Sequence, residues 1–253
     1  MSTRNQNEYL QKAAMYDLLA NYYKYIDPNM HVLYYHKHLR NLNKAVQLMR
    51  TNGSPISTAN SSPSMLRFLH ASPELKAVDI YLNGSRVLRD FDYKNNSSHM
   101  QLEPGKYQVD IYPAGESVST FISKKITVEP GRINTAAITG PANKLRLLTF
   151  EDYPHTPVGE TKVRFIHLSH DAPAVDIAGL NGDIIFPDVS YKQATTYLPL
   201  TPMTVTLEAK VAGTKNTVLT IPNIKLEPNN SYTIVAVGTA KGEPPLEVLL
   251  LQG

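Results

Sequence analysis

The chain has 253 residues, 42% hydrophobic and 19% charged, a balance that excludes a disordered polymer and allows more than one buried core. Cys is absent, which removes disulfides, thiolate metal sites and a Cys nucleophile together. The net charge of +3 resolves into +4 for residues 1–50 and −1 for the remaining 203, so the body offers no field for gripping a phosphate backbone.

Residues 1–51 read as helical. Tyr9, Ala13, Tyr16, Ala20 and Tyr23 step by 4-3-4-3, with Leu19, Tyr22 and Ile26 widening the apolar face. Val32, Tyr35, Leu39, Leu42, Val46 and Met49 form a second stripe. Asp27-Pro28 between them fits a break, with Asp27 as N-cap and Pro28 at the first helical position. The expectation is two helices folded into a hairpin, too small to be stable alone and therefore in need of a partner surface. Seven of the fifteen tyrosines fall in residues 1–35. Tyr suits a hairpin core and equally an association surface. The interface candidates are Tyr9, Tyr16, Tyr23, Tyr35, Leu39, Leu42, Val46 and Met49. His31, His36 and His38 do not make a metal site, because only His31 and His38 share a face, two turns apart.

Residues 52–63, rich in Ser, Thr, Asn, Gly and Pro and lacking periodicity, read as a flexible linker. Beyond them the chain repeats itself. Arg67-Phe68-Leu69-His70-Ala71-Ser72 falls on Arg164-Phe165-Ile166-His167-Leu168-Ser169, and Ala77-Val78-Asp79-Ile80 on Ala174-Val175-Asp176-Ile177. Further on, Tyr93-Lys94 meets Tyr191-Lys192, and Ala114-Gly115 meets Ala212-Gly213. Each copy alternates apolar and polar residues with period two, and Asn83-Gly84 supplies a tight hairpin turn. Short strands punctuated by Pro and Gly argue for antiparallel sandwiches over residues 64–150 and 161–253. Between them Glu151 to Glu160, with two prolines, reads as a stiffened connection.

The fold class is therefore mainly β: two tandem antiparallel sandwiches behind an N-terminal α-helical hairpin. Arg67 to Pro73 followed by Ala77-Val78-Asp79-Ile80-Tyr81 resembles the opening signature of a bacterial domain family catalogued as domain of unknown function 4397. Leu102 to Tyr107 and Pro113-Ala114-Gly115 resemble its next two landmarks. The second copy carries the same marks but lacks the expected Gly at Leu200-Thr201-Pro202-Met203, so that turn is expected to differ. The resemblance covers roughly residues 64–253. It implies Ig-like or transthyretin-like sandwiches, often in tandem and often in exported or envelope proteins, and it implies no activity.

His70 with Asp79, and His167 with Asp176, invite a metal or acid–base reading. Phe68 and His70 share a strand face, and a His in line with a core Phe more often bonds a backbone carbonyl or a nearby Ser or Asp. His70, Ser72, Asp79, His167, Ser169 and Asp176 are accordingly read as a structural network, with Asp79 and Asp176 capping neighbouring turns. No nucleotide-binding, metalloprotease or serine-hydrolase motif occurs. No catalytic, cofactor-binding or metal-binding residue and no cofactor is expected. The functional expectation is a non-enzymatic structural or adhesive protein, assembled or tethered through residues 1–51 by self-association into a homo-oligomer or by a protein partner. The alternative is a carbohydrate- or peptide-binding module that uses a sandwich face or the inter-domain cleft. No nucleic-acid partner is expected. No apolar run reaches the about eighteen residues of a membrane span. Residues 1–25 show no secretory signal, so retention in the cytoplasm is expected, with an envelope or spore-type layer as the other setting.

Overall fold

A computed structural model describes residues 2–52, 63–180 and 182–253, with side chains described from Asn7 onward and, late in the second helix, for Val46 and Leu48. The chain divides into two units, residues 1–59 and 60–253. The linker expected over residues 52–63 falls almost wholly outside the described residues.

In the first unit, α1 (Ser2–Tyr23) and α2 (Pro28–Asn52) pair as a hairpin, each longer than five turns. The break between them is chemical. Asp27 Oδ1 accepts from the backbone N–H groups of Asn29 and Met30 at 3.0 and 3.2 Å, satisfying donors that the start of α2 leaves open. Ala13, Ala20 and Ala45 are buried, which lets the helices approach closely. Two histidines close the seam. His31 Nδ1 donates to the Ala20 carbonyl and His38 Nδ1 to the Ala13 carbonyl, both at 2.9 Å, one heptad apart on both antiparallel helices. No helix among the described residues is long and apolar enough to cross a membrane.

Among the described residues the second unit holds sixteen strands in four four-stranded sheets. The first copy contains β1 (Ser64–His70), β2 (Val78–Leu82), β3 (Ser85–Phe91), β4 (Met100–Leu102), β5 (Gly105–Pro113), β6 (Ile122–Val128), β7 (Ile133–Thr139) and β8 (Arg146–Asp152). The second contains β9 (Thr161–His167), β10 (Val175–Gly179), β11 (Ile184–Val189), β12 (Leu198–Leu200), β13 (Met203–Val211), β14 (Thr217–Leu226), β15 (Ser231–Val237) and β16 (Glu247–Gln252). Sheet orders are β4-β1-β7-β8 and β3-β2-β5-β6, then β12-β9-β15-β16 and β11-β10-β13-β14. Pairing is antiparallel except for β1 with β7 and β9 with β15, which run parallel in matching registers. Those strands are far enough apart in sequence for the crossover that a parallel pair requires.

Three details differ from the sequence reading. Glu151 and Asp152, assigned to the connection, are the last residues of β8. The turn before β13 keeps the two-residue length of its counterpart before β5, and Gly105 is not among the residues with positive φ, so Met203 can stand in its place. The largest difference concerns the second face of each copy's first sheet. Phe68, Ile80, Ile111 and Ile138 fill the first sandwich, but Leu69, Ala71 and Ala137 face away from it and pack against Ile166, Leu168, Val235, Val237 and Leu251 of the second copy. The two copies thus share a third apolar core. β1 and β9 are covered on both faces, so even their polar residues Arg67, His70, Arg164 and His167 are buried.

Candidate functional site

The repeated His and Asp residues each have their own partners. His70 Nε2 donates to the Lys76 carbonyl at 3.2 Å, and His167 Nε2 to the Pro173 carbonyl at 3.1 Å. Their rings lie beside Phe91 and Tyr93, and beside Phe165 and Tyr191. Burial lowers both imidazole pKa values and keeps the rings neutral.

The aspartates hold distorted backbone. Asp79 Oδ1 accepts the Asp90 N–H at 2.9 Å, and Oδ2 faces Arg86 Nη1 at 3.1 Å and the Gly115 N–H at 3.4 Å. Asp176 repeats this with the N–H groups of Asp188 at 2.7 Å and Gly213 at 2.8 Å. Asp90 and Asp188 have φ near +50°, where the β2–β3 and β10–β11 registers shift, and Gly115 and Gly213 occupy positive-φ turns. Each carboxylate therefore clips a bulge to a turn. Burial opposes the charged form of Asp79, but the Asp90 N–H, Arg86 and the Gly115 N–H hold it below the usual carboxylate range. Ser72 Oγ donates to the Gly140 carbonyl at 2.7 Å, and Ser169 Oγ to Asp171 at 3.3 Å. Among the described residues, no three His, Asp or Glu side chains converge as metal ligands.

The most concentrated buried charge is one that sequence reasoning missed. Arg67 on β1 and Arg164 on β9 occupy matching positions and point into the seam between the copies. Arg67 Nε donates to Thr135 at 2.8 Å and Nη1 to the Gln252 carbonyl at 2.9 Å. Arg164 Nε donates to Thr233 at 3.0 Å and Nη1 to the Glu151 carbonyl at 2.6 Å. Glu151 and Gln252 are themselves matching positions at the ends of β8 and β16, so each copy's arginine grips the other copy's last strand. One carboxylate serves both. Asp152 bonds Arg164 Nη2, accepts from Thr135 at 2.5 Å, and lies 3.7 Å from Arg67 Nη2. Burial pushes Asp152 up, but His99, Arg164, Thr135 and Arg67 outweigh it and hold its pKa below the ordinary value. The available signal was an Arg at the same position in both copies, flanked by apolar residues on a strand.

The seam continues past this bridge. Thr139 Oγ1 donates to the Leu168 carbonyl at 3.0 Å, and Lys94 pairs with Glu247 at 2.9 Å. Burial and the Glu247 carboxylate push the Tyr93 hydroxyl up to about 12.

The interface candidates of the hairpin are only half-buried. Tyr16 and Tyr23 stack on Tyr34, Tyr35 lies between His31 and His38, and Lys44 lies 5.4 Å from the Tyr9 ring centre. Leu39, Leu42 and Val46 are half-buried, and the Met49 side chain lies outside the described residues. The large apolar side chains exposed on this unit are others: Met15, Leu18, Tyr22, Tyr25 and Ile26, with Leu33 on α2. On the outer sheet of the first copy, Tyr81 and Tyr112 meet edge to face at 5.2 Å, while the Tyr107 hydroxyl turns to the Glu103 carbonyl.

The family model described as Domain of unknown function (DUF4397) matches the chain twice, over residues 64–178 and 179–252. Among curated proteins nothing matches. Solved structures similar to this chain include the C-terminal domain of AlgF from P. aeruginosa, at 16% identity and TM-score 0.28, covering 36% of this chain and 99% of that one. The Bacillus anthracis TIE protein matches at 15% identity and TM-score 0.23, covering 70% and 34%. A fimbrial assembly protein from Parabacteroides distasonis matches at 10% identity and TM-score 0.23, covering 74% and 94%.

Proposed function

The chain belongs to the family described as Domain of unknown function (DUF4397), carried here in two adjacent copies, and from that premise we propose a non-enzymatic structural or adhesive protein. The β unit serves as a stiff presenting body, and residues 1–51 assemble it. The observation that carries this reading is the apolar row on α1. Met15, Leu18 and Tyr22 follow 3-4 spacing, Leu18 and Tyr22 are 72% and 63% exposed, and Ile26 in the turn that follows α1 is exposed too. A row of that kind on a two-helix unit is where a second pair of helices packs. The buried polar groups fit a passive role, since the repeated Asp and Ser side chains and the Nε2 atoms of His70 and His167 spend their hydrogen bonds on the fold. The setting we propose is a bacterial envelope or spore-type layer, to be checked by cell fractionation.

The test is the solution mass of the full chain by light scattering, beside the Leu18→Glu/Tyr22→Glu variant. The proposal expects a multiple of the single-chain mass, falling to one chain in the variant with helix content unchanged. A variant that keeps the oligomer overturns it. The second reading, a carbohydrate-binding sheet face, is favoured by the Tyr81–Tyr112 pair beside the hydrogen-bonded Gln108, Asp110 and Ser123. Under it, Tyr112→Ala abolishes retention on polysaccharide resins without changing the mass.

A further inference from the structure

A groove of about 520 Å³ opens along the first sandwich where its two sheets part, between the edge strands β6 and β8. Its lining divides in two by chemistry. Lys124 from β6, Arg146 from β8 and Lys192 from the turn after β11 supply three cations, and no carboxylate lines it. Phe121, Leu145 and Leu148 supply apolar surface alongside them, and Phe121 is exposed. Three cations in one groove stand out on a body whose composition sums to −1.

These cations are not consumed by the fold in equal measure. Lys124 sits at a core-facing position of β6, between the buried Ile122 and Ile126, and its Nζ donates to the Leu147 carbonyl at 2.7 Å. That bond blunts the free edge of β8, as inward-pointing lysines do on natural sheet edges. Arg146 and Lys192 are exposed, and neither has a carboxylate at ion-pair distance among the described residues; Lys192 rests 4.9 Å from the Tyr191 ring centre. Lys192 belongs to the second copy, so the groove gains its third cation only when the two copies are joined.

From this charge and apolar pattern we infer that the groove binds an extended peptide segment of another protein, one that alternates acidic and apolar side chains. Its carboxylates meet Arg146 and Lys192, and its apolar side chains lie on Phe121, Leu145 and Leu148. A strand offers side chains of alternate character at the spacing this requires. With Lys124 occupying the β8 edge, recognition runs through side chains, not through addition of a strand. A phosphate polymer satisfies the cations but leaves the exposed Phe121 ring in water.

The test uses the full chain and a fluorescent peptide of alternating Glu and Val, about eight residues long, within the usual range of a strand. Anisotropy is expected to show saturable binding at low salt, weakening as ionic strength rises. Arg146→Gln/Lys192→Gln is expected to lose about tenfold in affinity, the combined effect of two exposed charge contacts. Both residues are exposed and outside the cores, so the variant's melting temperature should match the parent's. A Gln-Val peptide should not bind. The inference is overturned if the Glu-Val peptide does not saturate, if the double variant binds it equally well, or if inorganic polyphosphate binds the same residues more tightly than the peptide.

Discussion

Asp152→Asn tests the seam between the copies with a change of almost no volume. Among the described residues the Asp152 carboxylate is the only acidic side chain paired with Arg67 and Arg164, and all three side chains are at least 96% buried. An amide at this position keeps one acceptor and turns an N–H group toward two guanidinium groups that have nothing further to accept it. The local charge of this trio rises from +1 to +2 in a site that water does not reach. Removing one partner of a buried ion pair typically costs about 3–5 kcal/mol. At roughly 2–4 °C per kcal/mol for a unit of this size, residues 60–253 should melt about 6–20 °C lower. The chain has no Trp, so far-UV circular dichroism under urea and heat is the practical readout. Removing one cation should relieve the damage: Arg67→Met/Asp152→Asn is expected to be less destabilised than the sum of its parts, by about 1–3 kcal/mol. A loss under about 1 kcal/mol, or strict additivity, would refute the bridge as an energetic centre.

Other consequences follow from the same partners. His70 and His167 have folded pKa values below the ordinary 6.5, so the unfolded chain binds protons first as pH falls. Stability is full above that value and declines below it, by at most about 1.4 kcal/mol per pH unit for each histidine. Asp152, depressed in the fold, adds a further loss only below its unfolded value near 4. Urea midpoints between pH 8 and pH 5 check this, and a flat profile contradicts it. Asp176→Ala strips acceptors from the Asp188 and Gly213 N–H groups and should cost about 2–4 kcal/mol, visible in the same melts. Gly238→Ala should prevent folding, because a Cβ there would lie 2.1 Å from the Pro245 carbonyl oxygen. Gly115→Ala has open space and should lose only about 1–2 kcal/mol to its positive φ, so comparable yields of the two variants would count against this account.

Much of the β architecture was legible because it is local. Val78, Ile80 and Leu82 alternate on β2, Asn83-Gly84 turns the hairpin with φ positive at both residues, and the duplication doubles each signal. What escaped was set by distance. Asp79 lies visibly among apolar neighbours, yet its partners Asp90 and Gly115 are brought to it by a bulge and a turn that no periodicity announces. Arg67 is a polar residue among apolar neighbours, and nothing local says that a second copy will cover its face of the strand. Asp152 looked like connection because it precedes Tyr153-Pro154, and strand ends carry the same polar vocabulary as loops. In the hairpin, heptad spacing identified the helices, but only packing separates the residues between them from the row left outside.

The reciprocal grip of Arg67 and Arg164 makes the β unit a dimer whose halves happen to be covalently tied. Cutting within residues 153–160 should therefore leave two fragments that stay together and co-purify. Nothing in that grip distinguishes a neighbour supplied by the same chain from one supplied by another. Where a first copy opens and meets the second copy of an adjacent molecule, the exchange is heterologous and need not close. Such an exchange would link molecules through their β bodies without the helices, and mass measurements on residues 63–253 alone would register it.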